Sequence, residues 1–518
     1  MSRPFAPAWR RADPHARDLL PGPRFEPAPA SRPLPTPVVS ALYDLQRTKA
    51  GRTGVERLAA GAPAVVTGQQ LGFATGPLLT LAKAWSAVSW ARHLSTHLGS
   101  FVVPVFWLQT EDHDLDEVRW VGARDPAGRP IRITVPGDGR IRCSVGARLL
   151  PEGAADAVDR LLGPGPEPEA ADRVRRACAP GRAWVDAFAD LIQAAVPELV
   201  LLDPRAPAVQ AAVRPVYAAA LERHRHWTEV LKARARSVEG AGFRVQVPVR
   251  PETLCFFHPD GPEGPRYRLR PEGADTFRAA GDPGATRWSL PVLQDRLDRP
   301  GAFSTSALLR TLTQDTLLRV AAVVVGPSEL AYWAQVEPLH TDLGLKMPSV
   351  VLRDRVQVLE PRDRSRLERW GLQPDDVCES PTLLVDRLLA RDGHGVQALR
   401  AQLSERLRAQ VSDALAEFDP AGADLSGPQG VLLEQLDRNV ARFTEKVSRM
   451  RTRAESDAAR TVQHLRWALF PEGVPQERHC GWAWYAARHG AARFDRALAD
   501  AVVSTEPRPD GPMRSVNL

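Results

Sequence analysis

Residues 64–117 leave few choices of fold. They read AVVTGQQLGFATGPLLTLAKAWSAVSWARHLSTHLGSFVVPVFWLQTEDHDLDE. The apolar run at 64–67 has the character of a buried strand. Gly68, Gly72 and Gly76 punctuate the loop after it, and residues 77–98 carry the apolar periodicity of a helix. A second apolar run, 101–108, ends in the polar cluster Gln109-Thr110-Glu111-Asp112-His113-Asp114. Strand, loop, helix, strand is a βαβ unit with two parallel strands. Ligands of open α/β sheets sit beyond the carboxyl ends of the strands. Both polar clusters fall there.

The remaining chain extends this core. Residues 199–203 (LVLLD) and 320–325 are further short apolar runs beside helical segments, and 348–358 reads as one more strand. The runs at 64–67, 101–108, 199–202 and 320–325 are expected in a single, mainly parallel sheet. A short helix at 37–49 leads in. Residues 1–37, rich in Pro and Arg, read as an extended arm on the body or a disordered one. Residues 119–145 alternate polar and apolar around Pro-Gly-Asp-Gly and read as a β-hairpin. Segments 151–196 and 207–240 look helical, and 244–250, 253–257 and 267–269 look like short strands.

Beyond Pro381, Leu399, Leu403, Leu407, Val411 and Leu415 form an i, i+4 stripe. After a break at 419–430, Leu433, Leu436, Val440, Phe443, Val447, Met450 and Ala454 follow at alternating spacings of three and four. That heptad pattern predicts two long paired helices. The expected division is an arm and lead-in helix over 1–60, an α/β core over 61–385 with insertions at 119–180 and 244–300, and a helical coiled-coil and C-terminal segment over 386–518.

Charge and cysteine usage narrow the function. An excess of 68 basic over 62 acidic residues is small for 518 residues and argues for neither nucleic acid nor membrane as partner. The bases are mostly Arg; Lys stands only at 49, 83, 232, 346 and 446. Five scattered cysteines without C-x-x-C argue against a zinc ribbon and suit a reducing compartment. With no secretory leader and no apolar run near the ~18 residues that span a bilayer, a cytoplasmic protein is expected.

Six stretches, in order, carry a resemblance: TGQQLGFATGPLLTLAKA, PVFWLQTEDHDLDEV, STSALLRTLTQD, GPSELAYWAQ, VVLRDR and FPEGVPQER. Together they resemble motifs of the bacillithiol biosynthesis family BshC, over about residues 65–478. Segments 1–40, 119–180 and 259–300 match least. The resemblance implies a Rossmann-like core with inserted connecting segments and a coiled-coil domain associated with dimerisation, hence a homodimer. It implies a ligase that adds L-cysteine to the amine of glucosaminyl-malate by carboxylate activation and amide formation. ATP or another nucleotide with Mg²⁺ is the implied activator. No metal ligand set is assigned.

The individual residues each have two readings. Gly68, Gln69, Gln70, Thr75 and Gly76 can cradle a carboxylate or phosphate at a helix N-terminus, or form a turn that needs glycine; G-x-G-x-x-G and G-x-x-x-x-G-K-[ST] are both absent. Glu111, Asp112, His113 and Asp114 can hold a metal or bind amines, or cap a solvated loop. Lys83 can reach back to a phosphate or snorkel from its helix. Glu329, Tyr332, Trp333 and Gln335 follow the strand at 320–325, where the aromatics can stack on a ligand or pack the core. Lys346-Met347-Pro348-Ser349 shares too little with the KMSKS loop of class I synthetases to carry an assignment. Gln476-Glu477-Arg478 reads by its residues as a solvated corner, and the resemblance implies that it packs against the core or a ligand. Beside the ligase stand two alternatives: a non-catalytic α/β and coiled-coil assembly protein, and a metal-dependent hydrolase built on Glu111–Asp114. Convergence of 68–76, 111–114 and Glu329 is the expected mark of the site.

Overall fold

A computed structural model describes residues 3–26, 33–391, 396–417 and 425–518, apart from positions 253, 274, 283, 285 and 455. Five strands form one parallel sheet in the order Ser349–Leu352, Val320–Val325, Ala64–Gln69, Val103–Leu108, Val200–Leu202. The four expected runs are all there. Side chains alternate between two cores, as strand geometry requires. Val66, Trp107 and Val323 face one, with helices Pro207–Glu222 and Pro327–Asp342. Phe106, Leu108 and Leu201 face the other, with helices Leu79–Leu98 and Trp184–Ala195. The chain runs outward from Ala64–Gln69 in one direction and returns at Val320–Val325 on its other side. The strand order therefore reverses between these two strands, where an α/β sheet opens a crevice.

Several expectations are corrected. The run at 348–358 is two strands: Ser349–Leu352 in the main sheet, then Arg355–Leu359, paired in parallel with Met513–Asn517. The break falls at Arg353 and Asp354, whose buried charges bind Glu477 and Arg514 and pull the backbone out of the sheet. The C-terminal segment, expected to be helical, thus ends in a strand. The hairpin is Trp120–Arg124 with Pro130–Thr134, turning at Asp125-Pro-Ala-Gly128 rather than at Pro-Gly-Asp-Gly. Asp125 accepts from Arg129 N at 2.9 Å and Gly128 takes φ 83°, chemistry that closes the turn there. Residues 244–250 are not a strand. Instead Phe303–Thr305, Cys255–Phe257, Tyr267–Pro271, Thr276–Ala279 and Arg287–Ser289 form a second, antiparallel sheet.

The N-terminal arm is not extended: Phe5–Arg10 and Pro14–Leu19 are helices that bury Phe5 and Trp9 in the first core. Its residues 27–32 lie outside the described ones. The lead-in helix, Thr36–Leu45, is followed by another, Lys49–Ala59.

Helices Val396–Glu417 and Ser426–Ala454 pair as the heptads predict, bridged by Arg408 and Asp437. Residues 419–424 of the expected break and the side chains of Met450 and Ala454 lie outside the described residues, and 426–430, expected as break, already belong to the second helix. Helix Ser456–Leu469 returns to pack Val462 and Leu465 on Leu384 and Leu388 of Pro381–Arg391.

Candidate active site

The crevice at the strand-order reversal is a cavity of about 610 Å³. Three helices aim their N-termini into it. Leu79 and Thr80 open one, Ser306 and Ala307 another, and Gly326, Pro327 and Ser328 the third. Unsatisfied N–H groups and helix dipoles make such ends favourable for anions. The approach of Gly72 to Gly76 shapes the first entry: a Cβ on Gly72 would lie 2.6 Å from Gly76 Cα, and Gly76 takes φ 66°. The turn reading of these glycines is therefore correct as far as it goes.

Lys83 is buried and does not snorkel. Its Nζ donates to Gly68 O and Gln69 Oε1, both at 2.9 Å, and pairs with Glu329 Oε2. This one ammonium ties the first strand's end to the third helix, whose Gly326 N–H also donates to Glu329 Oε2 at 2.7 Å. Burial pulls the Lys83 pKa down, and the Glu329 pairing only partly offsets it. Burial pushes Glu329 the other way, but the charges of Lys83 and Arg310 outweigh it and hold the carboxyl below its usual range. Arg310 donates to Tyr332 Oη at 3.0 Å. Burial, with Glu329 nearby, pushes the Tyr332 hydroxyl up to about 12 although Arg310 opposes this, so it is the neutral phenol that lines the cavity.

Three of the four residues of the acidic loop reach this cavity, and Asp114 does not. Glu111 is buried and accepts from Thr305 N at 3.0 Å, Thr305 Oγ1 and Tyr217 Oη. Burial raises its pKa despite those bonds and Arg266. Asp112 accepts from Gln70 Nε2 at 2.6 Å and His113 N at 2.7 Å. Burial would raise its pKa, but His113, Arg266 and Gln70 together hold it well below the carboxylate range. His113 lines the cavity with Nδ1 3.5 Å from Asp112 Oδ1. Asp114 turns away to cap helix Leu115–Val118. Among the described residues, no three His, Cys, Asp or Glu side chains come together as a metal site.

Gln69, Gln70, Lys83, Glu111, Asp112, His113, Glu329 and Tyr332 thus share one cavity. Gly68 joins it only through its carbonyl on Lys83. Thr75 and Gly76 shape the turn behind it. Trp333 is core, and Gln335 bonds both N and O of Val247 at 3.0 Å. Asp114, Thr75, Gly76, Trp333 and Gln335 are therefore not brought to the cavity.

Sequence reasoning singled out Arg478 but missed the other arginines of the cavity. Arg266 stacks 3.8 Å over Phe256 and donates to the carbonyls of Glu111 and Thr305, stitching the antiparallel sheet to the acidic loop. Arg268, Arg353 and Arg478 also line the cavity. Arg353 makes a bidentate pair with Glu477 at 2.6 and 2.7 Å, and Gln476 bonds N and O of Val358. Gln476 and Glu477 are thus a buried clasp, packed against the core as the resemblance implies rather than solvated. In a chain this rich in Arg, composition hides which arginines matter; their place inside STSALLRTLTQD, VVLRDR and FPEGVPQER was the available signal for Arg310, Arg353 and Arg478.

No helix among the described residues is long and apolar enough to cross a membrane. Residues 34–354 match the family described as "Bacillithiol biosynthesis BshC, N-terminal Rossmann-like domain", and residues 356–502 match "Bacillithiol biosynthesis BshC, C-terminal coiled-coil domain". Relatives named "Putative cysteine ligase BshC" include those of Salinibacter ruber (30% identical, covering 83% of this chain and 79% of the relative), Koribacter versatilis (30%, 86% and 83%) and Solibacter usitatus (30%, 83% and 80%). The two matched segments meet between Asp354 and Val356, where the chain leaves the parallel sheet. Sheet order, crevice, helical hairpin and matched segments agree, and the chain belongs to the BshC family of bacillithiol biosynthesis.

Proposed function

We propose that this chain is a ligase forming a carbon–nitrogen bond, joining the carboxyl carbon of L-cysteine to the amine of glucosaminyl-malate. The observation that carries this reading is one cavity lined first by three helix N-termini and several arginines and second by the Asp112–His113 pair. The first half suits carboxylates, those of cysteine and of the malate group. The second suits an amine that must lose a proton as it attacks.

In this reading His113 takes that proton, and ionised Asp112 beside it stabilises the imidazolium that results. Lys83 and Glu329 hold the turn and the third helix in register, so that the anion-binding groups are ordered before substrate arrives. A nucleotide activator supplies the phosphate that makes the carboxylate oxygen a leaving group. The residues that would hold such a phosphate are the backbone at Leu79–Thr80 and Ser306–Ala307, together with Arg478. This donor set fits an anion, and it contains no grouped carboxylates for Mg²⁺ among the described residues.

The same reading makes the helical hairpin a dimer interface, because Phe443 and Val431 stay more than half exposed on a single chain. Purified protein supplied with L-cysteine, glucosaminyl-malate and ATP tests the chemistry. The expected product has the summed mass of both substrates less one water. Its absence with ATP and with other nucleoside triphosphates, in protein shown to be folded, rejects the reading.

A further inference from the structure

A second hollow, of about 50 Å³, lies behind the wall of the main cavity. Arg268, Ser306 and Ala307 line both spaces. Leu231, Leu254 and Leu308 make its inner surface apolar, and helix His224–Gly240 closes one side. Two buried polar atoms on its lining residues have no hydrogen-bond partner: His224 Nε2 and Glu252 Oε2. His224 is only 7% exposed. Its Nδ1 lies 2.8 Å from the carbonyl oxygen of Leu221, which can only accept. Nδ1 therefore carries the proton, and in the neutral ring Nε2 is left as an acceptor. Glu252 also accepts, and its Oε2 lies 3.5 Å from Arg268 without a hydrogen bond.

Buried polar atoms without partners are uncommon and call for an explanation. Here both are acceptors; Glu252 has an ion pair with Arg268 but no hydrogen bond, and His224 Nε2 has neither, so the missing partner is a donor. At roughly 10–15 Å³ per water-sized occupant, the hollow holds about three or four atoms of a ligand. A fully solvated ammonium fits poorly at its apolar end. A thiol fits well, being a small hydrophobe with a weak S–H donor.

We propose that this hollow is the side-chain pocket for the amino-acid substrate, receiving a CH₂–SH group. His224 Nε2 accepts from the S–H, and Glu252 accepts from the α-ammonium. Arg268, on the shared wall, is the cation for the α-carboxylate, which stays in the main cavity where it reacts. The inference rests on the ligase reading above and names the part of the site that selects cysteine. Alanine leaves the hollow unfilled, and serine, whose hydroxymethyl is smaller than CH₂–SH, leaves part of the surface of Leu231, Leu254 and Leu308 uncovered.

The test is calorimetric titration of the full chain with L-cysteine, L-alanine and L-serine under reducing conditions. Thr228, half-buried on the lining, is replaced to fill the hollow (Thr228→Met), and Glu252 is replaced to remove the charge (Glu252→Gln). The unaltered chain should prefer cysteine over alanine by about 10- to 200-fold, the range a small pocket achieves. Thr228→Met should erase that preference. Glu252→Gln should weaken cysteine about tenfold or more, and both should bind glucosaminyl-malate within about twofold of the unaltered chain. A loss of glucosaminyl-malate binding as well would mark general damage and overturn the assignment. Cysteine affinity unchanged in both variants would overturn the pocket and leave the ligase reading standing. No cysteine binding by the unaltered chain, with no product in the coupled reaction, would remove both. Should Thr228→Met not fold, Glu252→Gln decides alone.

Discussion

In the α/β core, Lys83, Glu111, Arg266, Arg310 and Arg353 are each more than nine-tenths buried, and each is bonded to partners from distant parts of the chain. In the hairpin of Val396–Glu417 and Ser426–Ala454, the ion pair Arg408–Asp437 stands half in solvent and Phe443 is 54% exposed. The contrast separates two ways of using polarity. The core takes charge out of water and pairs each of these five groups, because an unpaired buried charge is costly. The hairpin leaves charge in water, where it contributes little, and leaves apolar surface for something else to cover.

The largest effect expected is on chemistry. His113 is about one-third exposed and holds no structural bond through its ring beyond Asp112. His113→Ala should cut the rate of amide formation 100- to 10,000-fold, the usual worth of a positioned base, with the melting temperature within about 2 °C of the unaltered chain, as expected for a substitution outside the packed core. Single-turnover kinetics and calorimetry check both halves, and retained activity would move the proton acceptor elsewhere.

Next comes the clasp. Glu477→Ala leaves Arg353 buried and unpaired, since both side chains of the pair are 3% exposed. Urea unfolding should show a loss of about 3–5 kcal/mol. A loss under about 1 kcal/mol, the scale of a surface pair, would mean that this clasp behaves as the hairpin pairs do and would break the comparison.

Asp495 gives the core a pH signature. Half-buried and bonded to Trp482 Nε1 at 2.6 Å, its carboxyl is pushed up to about 7 by desolvation. The folded state thus holds this proton where the unfolded chain, with an ordinary aspartate, releases it. Its contribution to stability is complete below pH ~4 and is lost as pH rises to about 7, on the order of 3–4 kcal/mol in all. Asp495→Asn should flatten that slope and unfold later at pH 8. The same slope in the variant would assign the titration to another group.

The hairpin is probed by two smaller perturbations. Phe443→Glu should shift the mass seen by light scattering at micromolar concentration from two chains to one 56.8 kDa chain, leaving the core's unfolding unchanged. A single-chain mass before any substitution would show that the exposed stripe is not a dimer interface. Arg408→Ala should cost only about 0.2–1 kcal/mol, and a larger loss would show that the hairpin depends on its charges as the core does.

Local pattern was enough to read the βαβ unit, four of the five parallel strands and the paired helices. Each rests on a periodicity carried by neighbouring residues: apolar runs of strand length, a Gly-punctuated loop, and threes and fours along a helix. The cavity's main polar clusters were legible for the same reason, since the ends of parallel strands are where ligands sit. Tertiary structure decided the rest. Lys83 became a buried clamp only because Glu329, 246 positions later, lies against it. Trp333 and Gln335, one and three residues beyond Tyr332 in Pro327–Asp342, face the core instead of the cavity, a matter of helix rotation that packing alone sets. The strand at 348–358 broke because Arg353 found Glu477, and the C-terminal residues became a strand because Arg355–Leu359 offered an edge. Sequence determines what each segment can become on its own. Pairing energies between buried groups far apart in the chain depend on distances that no local pattern contains.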